Sequence, residues 1–254
     1  MIVLRSREEI ELIRTACRIV AEVLVRLAEI VEPGVTTADL DRLAEEWTRK
    51  RDAVPAFKGY AVGGRVYPAS LCVSINEEIV HGMPSPKRAL KEGDIVGLDF
   101  GAVRDGYYGD SAVTVGVGRV TPTAKTLMDV TKDSLYRGIE NVRVGNRIRD
   151  VSAAIQQCAE AKGFGVVRDF VGHGIGQRLH EEPQVPNYVG PGQNPRLKEG
   201  MVLAIEPMVC EGTYEVDILP DGWTAVTRDR RLSAHFEHSV AVTSAGPEIL
   251  TVAA

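Results

Sequence analysis

The sequence predicts an α+β protein in which two pseudo-symmetric halves surround a central antiparallel sheet with flanking helices. Long amphipathic helices alternate with apolar, strand-like runs, and one segment occurs twice. Residues 90–103 read LKEGDIVGLDFGAV and residues 197–209 read LKEGMVLAIEPMV. In both copies the sixth residue after the Lys-Glu-Gly triplet is an acid inside an apolar run, Asp99 in the first and Glu206 in the second. The repeat therefore predicts that each half places a carboxylate at the centre of the sheet.

Length and composition limit the class of protein. The 254 residues, 44% of them hydrophobic, suit one globular domain over 1–254 with halves of about 1–120 and 121–254, and argue against disorder. A net charge of −5 argues against a general nucleic-acid binder. No apolar run reaches about 18 residues, so no membrane span is expected. The four cysteines form no CxxC pair, and the N-terminus lacks the pattern of a signal peptide, so we expect a cytoplasmic protein.

The helices and strands follow from periodicity and end signals. Ser6 and Glu9 form a capping box before apolar residues that recur at three- and four-residue steps, and Pro33-Gly34 stops that helix. A Gly- and Pro-rich loop is expected over 52–70. The predicted helices are about 7–31, 38–51, 121–142 and 149–162, and the predicted strands are 71–75, 95–103 and 108–117.

Two weaker similarities accompany the main repeat. GVTTADLDRL (34–43) resembles GNRIRDVSAA (145–154), each after a long helix, and GDSAVTV (109–115) resembles EHSVAVT (237–243). The last pair does not keep the spacing of the main repeat without gaps. A chance recurrence of the short triplet is the alternative to an internal duplication.

A hairpin brings a second acid close to Asp99. Asp105-Gly106 is a favoured two-residue turn, and with that turn Asp110 pairs with Gly101, two residues from Asp99 on the same face. Two carboxylates placed so closely in apolar strands require a cation between them. A β-bulge would break this inference. The alternative is one acid in a buried ion pair and one in solvent.

Histidines supply further candidate ligands. His173 and His180 lie in VGHGIGQRLHEEP, where the glycines favour a loop or tight strand. Neutral imidazole is a common metal ligand, although a lone histidine is more often structural. A phosphate-binding loop is disfavoured because the P-loop lysine is missing. By itself His81 indicates a loop histidine. Glu237 has the same buried-acid character as Glu206, and the histidines on either side of it alternate, so at least one should point away.

Five motifs, in this order, resemble the type I methionine aminopeptidases, which have the creatinase-like, pita-bread fold. They are INEEIVHGMP (75–84), GLDFGAVRDGYYGDSA (97–112), VGHGIGQRLHEEP (171–183), AIEPM (204–208) and DGWTAVTRDRRLSAHFEHSVAVT (221–243). The similarity covers nearly the whole chain. It resembles the short bacterial form, since neither an N-terminal zinc-binding extension nor the long insertion of the type II enzymes is present.

The resemblance implies a site with two divalent metal ions, of Mn, Fe, Co or Zn. Asp110 and Glu237 would bridge the metals, Asp99 would complete one, and His173 with Glu206 the other. A water shared by the metals would attack the first peptide bond, with Glu206, or the carboxylates collectively, accepting its proton. The remaining implied roles are contacts to substrate and intermediate by His81 and His180, and a side-chain pocket lined by Tyr60, Tyr67, Cys72 and Trp223.

The resemblance also implies the reaction and the partners. The enzyme would be a hydrolase that removes the N-terminal methionine from nascent, deformylated proteins and peptides whose second residue is small. It would act in the cytoplasm as a monomer, with the ribosome as a possible contact and with no membrane or specific nucleic-acid partner. The segment 59–68 is longer than is usual, and Phe57 stands where small or sulfur-containing side chains are common, so the shape of the pocket is left open.

Three alternatives remain at this stage. A proline-specific peptidase of the same fold usually carries an additional N-terminal domain. A two-metal phosphoester hydrolase would need cations beside the acids, and Arg104 is the only one in the 97–112 hairpin. A non-catalytic binding module would have lost ligands, whereas all five are present.

Overall fold

The computed structural model describes residues 1–253 and confirms the mixed α and β architecture. The helices are α1 (Arg7–Glu29), α2 (Thr37–Arg49), α3 (Pro122–Glu140) and α4 (Ile148–Glu160). The strands are β1 (Val54–Pro55), β2 (Ala61–Val62), β3 (Arg65–Val66), β4 (Leu71–Ile75), β5 (Glu78–Val80), β6 (Ile95–Arg104), β7 (Tyr107–Gly116), β8 (Gly165–Val166), β9 (Gly172–Gly174), β10 (Glu181–Val185), β11 (Val202–Ile205), β12 (Met208–Cys210), β13 (Val216–Ile218), β14 (Ala225–Thr227), β15 (Ser233–His235), β16 (Glu237–Thr243) and β17 (Gly246–Ile249).

The helices begin and end close to the predicted positions. The Ser6 hydroxyl accepts from the Glu9 N–H and the Glu9 carboxylate accepts from the Ser6 N–H, which confirms the capping box of α1. Thr121 caps α3 through the N–H of Ala124. Among the residues described, no helix combines the length and the apolar character needed to cross a membrane.

A nine-stranded antiparallel sheet forms the centre of the molecule. Its strand order is β1-β6-β7-β16-β11-β9-β10, with β4 also paired to β6 and β17 to β16. Leu98 and Phe100 of β6 pack in the core beneath α1 and α2. Because side chains alternate along a strand, Asp99 between them faces the other side of the sheet.

The β6–β7 hairpin has the predicted register. Asp105 and Gly106 have φ values of 52° and 80°, as a turn with two left-handed residues requires. Asp110 pairs with Gly101, and the ladder continues without a bulge from Arg104 to Ile95. The two-residue turn was therefore sufficient to predict that Asp99 and Asp110 lie on one face of the sheet.

The prediction of a loop over 52–70 is partly wrong. The segment contains three two-residue strands: β1 adds to the edge of β6, and β2 and β3 form a small hairpin. Gly63 and Gly64, with φ values of 56° and 81°, make the turn of that hairpin. Two-residue strands have no measurable periodicity, so the pattern of hydrophobic residues does not reveal them.

Matching contacts occur around the repeated triplets. Leu90 accepts a backbone hydrogen bond from Gly34 at 2.9 Å, and Leu197 accepts one from Gly145 at 3.0 Å. Both donors follow a long helix, and both acceptors precede the Lys-Glu-Gly triplet. The division of the chain into two similar halves remains a prediction, and these equivalent hydrogen bonds support it.

Candidate metal centre

Pairing across three strands gathers three carboxylates. Ala112 of β7 pairs with Asp99 of β6 on one side and with Glu237 of β16 on the other. Asp110 lies two residues before Ala112 on the same strand. Residues that are directly paired, or two apart on one strand, share a face, so all three acids point to the same side of the sheet.

The second half contributes a histidine and a fourth carboxylate. His173 of β9 pairs with Ala204 of β11, which pairs with Ser239, two residues beyond Glu237. The imidazole is therefore on the face of the acids. Glu206 directly follows β11, and its Oε1 lies 3.5 Å from Nε2 of His173.

The predicted ligands converge closely. One ligand atom from each of Asp110, His173 and Glu237 lies within 4.8 Å of the other two. Oδ1 of Asp110 and Oε1 of Glu237 are buried without any hydrogen-bond partner. Across residues 1–253, no lysine or arginine nitrogen comes within 4.0 Å of the four carboxylates. Buried acids without a cationic side chain or a hydrogen bond fit a site for metal cations.

The pKa values of these acids are raised because the acids are buried and lack a nearby positive charge. Burial raises the pKa of Asp99 to about 7. Burial, and secondarily the neighbouring carboxylates, raise the pKa of Asp110, Glu206 and Glu237 well above the usual range. Without a cation it is unfavourable for all four carboxyl groups to be ionised at once. Divalent cations that neutralise the four carboxylates are therefore strongly attracted to this site.

His173 is oriented as a ligand. Its Nδ1 lies 2.9 Å from the Gly174 carbonyl oxygen. A ring that donates its Nδ1–H to this oxygen keeps the lone pair on Nε2, which faces Glu206. Burial lowers the pKa of His173 to about 3, so the imidazole is neutral, the form that binds metals.

The chemistry of the donors narrows the choice of metal. One imidazole and four carboxylates are too rich in oxygen for a structural zinc site, and they suit Mn²⁺, Fe²⁺, Co²⁺ or Zn²⁺ in a reactive site. Four negative charges balance two divalent ions. The residues present therefore fit a centre of two metals.

A cavity of about 370 Å³ opens above these ligands. The structure places all the other predicted site residues in its wall: His81, His180, Tyr60, Tyr67, Cys72 and Trp223. Tyr67 and Trp223 meet edge to face, with ring centroids 5.2 Å apart. Phe57 also lines the cavity, against Gly101. The wall of this cavity is mostly apolar.

His180 and His81 are the other two histidines in the wall of this cavity. The ring centroid of His180 is 4.3 Å from that of His173, and its Nδ1 is 2.5 Å from Oη of Tyr60. His81 has a φ of 61° and its ring meets the edge of Phe170 at 5.2 Å. Burial lowers the pKa of His81 to about 4, so this ring is also neutral.

Several cavity residues were missed by the sequence reasoning. Phe170 precedes the glycine-histidine motif by two residues, and Ile218 lies at the rim, where 52% of it is exposed. Arg65 reaches over the cavity edge and donates from Nη1 to the Gly222 carbonyl at 2.7 Å. Only the unusual length of 59–68 pointed to this region.

The histidines beside Glu237 separate as expected. Nε2 of His235 is buried without a hydrogen bond and lies 3.9 Å from Oε2 of Glu206. His238 points away from the acids, and its Nδ1 contacts the Thr251 hydroxyl at 2.8 Å. The alternation of side chains therefore leaves His235 near the candidate metal ligands and turns His238 away from them.

Comparisons with known proteins agree with this geometry. The profile of metallopeptidase family M24 matches residues 11–244. A methionine aminopeptidase of Clostridium acetobutylicum is 53% identical over 252 residues, which are 99% of both chains. The crystal structure of methionine aminopeptidase from Thermotoga maritima superimposes with a TM-score of 0.95 at 47% identity, covering 99% of both chains.

A more distant structure shows the fold alone. Prolidase from Pyrococcus furiosus has a TM-score of 0.78 at 23% identity, over 99% of this chain and 66% of its own. With the Thermotoga structure, it confirms the expected pita-bread fold.

Proposed function

The chain belongs to metallopeptidase family M24, and from this we propose that it is a metal-dependent aminopeptidase that removes the N-terminal methionine from proteins and peptides whose second residue is small. One observation carries the proposal. Four carboxylates and one imidazole line a mostly apolar cavity, and no lysine or arginine nitrogen lies within 4.0 Å of those carboxylates in the part of the chain that the structure describes.

In this proposal the metal ligands take the roles that the resemblance to the methionine aminopeptidases implies. Asp110 and Glu237, whose buried oxygens have no partner, would lie between two divalent ions. Asp99 would complete the coordination of one ion, and His173 with Glu206 that of the other. When bound, such ions supply an activated water and polarise the scissile carbonyl.

In this proposal Glu206 is the proton acceptor. It is the only one of the four acids that does not lie within a strand, and 14% of its side chain is exposed toward the cavity. In this proposal it, or the carboxylates collectively, takes the proton released during attack on the peptide bond.

His180 is placed to stabilise the negative charge that develops on the carbonyl oxygen. Burial lowers the pKa of His180 and raises the pKa of Tyr60, so both groups are neutral near pH 7. A Tyr60 hydroxyl that donates to Nδ1 leaves the proton of the imidazole on Nε2. That N–H is then the donor toward the substrate. His81 would contact the scissile amide or help to protonate the departing amine.

The cavity explains the choice of the first residue. Tyr67 and Cys72 are 3% and 4% exposed, and with Trp223 they form an apolar wall. A flexible thioether side chain fits such a wall well. In this proposal the pocket closes around the first side chain, so the next residue of the substrate must be small.

The cellular setting follows from the reaction. The substrates would be nascent polypeptides from which the formyl group has been removed, and the enzyme would act in the cytoplasm as a monomer, with the ribosome as a possible contact.

A panel of substrates tests the proposal. Met-Ala-Ser, an Xaa-Pro peptide and a phosphoester are incubated with Mn²⁺ or Co²⁺, with and without a chelator. We expect metal-dependent release of methionine from Met-Ala-Ser alone. Preference for the Xaa-Pro peptide or the phosphoester, or full activity with chelator, would refute the assignment.

A further inference from the structure

The segment before α1 buries its charged residue and exposes its apolar ones. Arg5 is 8% exposed, whereas Val3 and Leu4 are 38% and 50% exposed. The backbone N–H of Arg5 donates to the Gly200 carbonyl at 2.7 Å, which fixes the segment against the second half of the chain. A buried guanidinium is tolerated only where it has a specific partner.

That partner is Glu181. Nη2 of Arg5 lies 2.5 and 2.6 Å from the two carboxylate oxygens, and both side chains are 5% exposed. Nη1 of Arg5 also donates to Glu9 of α1 at 3.3 Å. In residues 1–253, Arg5 is the only cationic side chain within 4.0 Å of the Glu181 carboxylate.

Glu181 in turn closes the turn that carries His180. Its Oε1 accepts the backbone N–H of Gln177 at 3.0 Å and that of Arg178 at 3.1 Å. The guanidinium of Arg5 fills the space next to Gly176, where any Cβ would collide with it. This packing accounts for the last glycine of the GHGIG motif.

We propose that Arg5 and Glu181 are positioning residues that hold His180 in its reactive place. The buried ion pair fixes the turn over 176–181, and the turn sets the imidazole beside His173 and Tyr60. Among the described residues, the Arg5 side chain makes no hydrogen bond to a predicted ligand and does not line the cavity, so in this proposal it acts through the turn. This proposal rests on the proposed function, because the position of His180 matters only if His180 acts in that reaction.

Arg5→Gln tests this with Arg7→Gln as its matched control. Arg7 is exposed at the start of α1 and has no ion pair among the described residues. With Mn²⁺ and Met-Ala-Ser we expect Arg5→Gln to lower kcat by about tenfold or more, with KM nearly unchanged. Arg5→Lys should recover part of the loss, because it keeps the charge without the forked donor. Arg7→Gln should match the parent.

Two measurements separate positioning from general damage. Calorimetric titration with Mn²⁺ should give the parent's stoichiometry in Arg5→Gln. In NMR spectra of histidine-labelled protein, which has five histidines, the ring signal of His180 should shift in Arg5→Gln and not in Arg7→Gln. His180→Ala assigns that signal. Parent kcat together with an unchanged His180 signal would overturn the proposal.

Glu181→Asp serves if Arg5→Gln does not fold. It keeps the charge but shortens the side chain by one methylene, so the ion pair and the turn hydrogen bonds cannot both be kept. The same shift and loss of kcat are expected, and a folded variant with neither would also overturn the proposal. If the parent itself releases no methionine, the proposed function fails, and the His180 signal still decides the positioning role.

Discussion

At the scale of single residues, the oxygens that lack partners carry the chemistry. Oδ1 of Asp110 and Oε1 of Glu237 are buried without a hydrogen bond, although buried polar atoms are nearly always paired. Each is flanked by other acids rather than by a cation. The simplest physical account is that these oxygens are ligand atoms.

Asp110→Asn tests that account. The amide has the same shape but no charge, so we expect Mn²⁺ binding and methionine release to be lost together, as measured by calorimetry and peptide assay. The metal-free variant should be more stable than the metal-free parent at pH 8, because one of four mutually repelling acids is removed. An active Asp110→Asn enzyme with its full metal content would remove Asp110 from the ligands.

His180→Ala should have the opposite signature. The ring contacts Tyr60 and lies beside His173 but is not among the ligands, so we expect metal binding to stay and kcat to fall by about 10²–10³-fold, as for one oxyanion donor. Tyr60→Phe should cost less, about tenfold or below, because it removes one hydrogen bond to the ring. Loss of metal from His180→Ala would contradict the role given to it.

At the scale of elements, the short strand β9 depends on its glycines. A Cβ on Gly172 would meet the Ala204 carbonyl oxygen, and one on Gly174 would meet the carbonyl of Glu182. Both contacts are with the backbone of neighbouring strands, which cannot move aside. These glycines let β9 lie between β10 and β11 with His173 at its centre, which is a different role from cradling a phosphate.

Gly172→Ala should therefore disturb the site through the sheet. We expect it to lower the free energy of unfolding by about 1–3 kcal/mol, the usual effect of overpacking, and to weaken Mn²⁺ binding. Gly97→Ala in β6 is the control, since its nearest neighbours would be 3.6–3.7 Å from the new Cβ. Urea unfolding and calorimetry compare the two variants. Equal effects would show that the close approach at β9 is unimportant.

The elements differ in how far the sequence could predict them. The β6–β7 register followed from one two-residue turn and the alternation of side chains, so Asp99 and Asp110 could be placed together in advance. The cavity rim could not be placed, because Phe170 and Arg65 reach it from segments without periodicity. Their positions depend on tertiary packing, which local patterns do not contain.

At the scale of the whole molecule, the candidate centre spans both predicted halves. Asp99 and Asp110 come from the first half, and His173, Glu206 and Glu237 from the second. Folding brings these four acids together at an electrostatic cost that bound metal ions would offset. Metal binding and stability should therefore be coupled, since a ligand that binds only the folded state stabilises it.

This coupling predicts how the stability of the metal-free protein depends on pH. An unfolded chain has lost its carboxyl protons well below pH 7, whereas burial raises the folded pKa of Asp99 to about 7 and raises those of the other three acids well above their usual range. Near pH 7 the folded state therefore holds more protons than the unfolded chain, so raising the pH through this range favours unfolding. For each proton that the folded state retains, the free energy of unfolding falls by about 1.4 kcal/mol per pH unit.

The window from pH 7 to 8 isolates this effect. The histidines have lowered pKa values in the folded state, and they are largely neutral in both the folded and the unfolded state above pH 7. The buried thiols have raised pKa values, so they lower the free energy of unfolding only above about pH 8.5, where the cysteines of the unfolded chain ionise. We expect urea unfolding of chelated protein to show falling stability from pH 7 to 8, and Mn²⁺ to remove the slope because it keeps the carboxylates ionised in the folded state. A flat profile without metal, or the same slope with it, would show that the four acids are balanced by something other than cations.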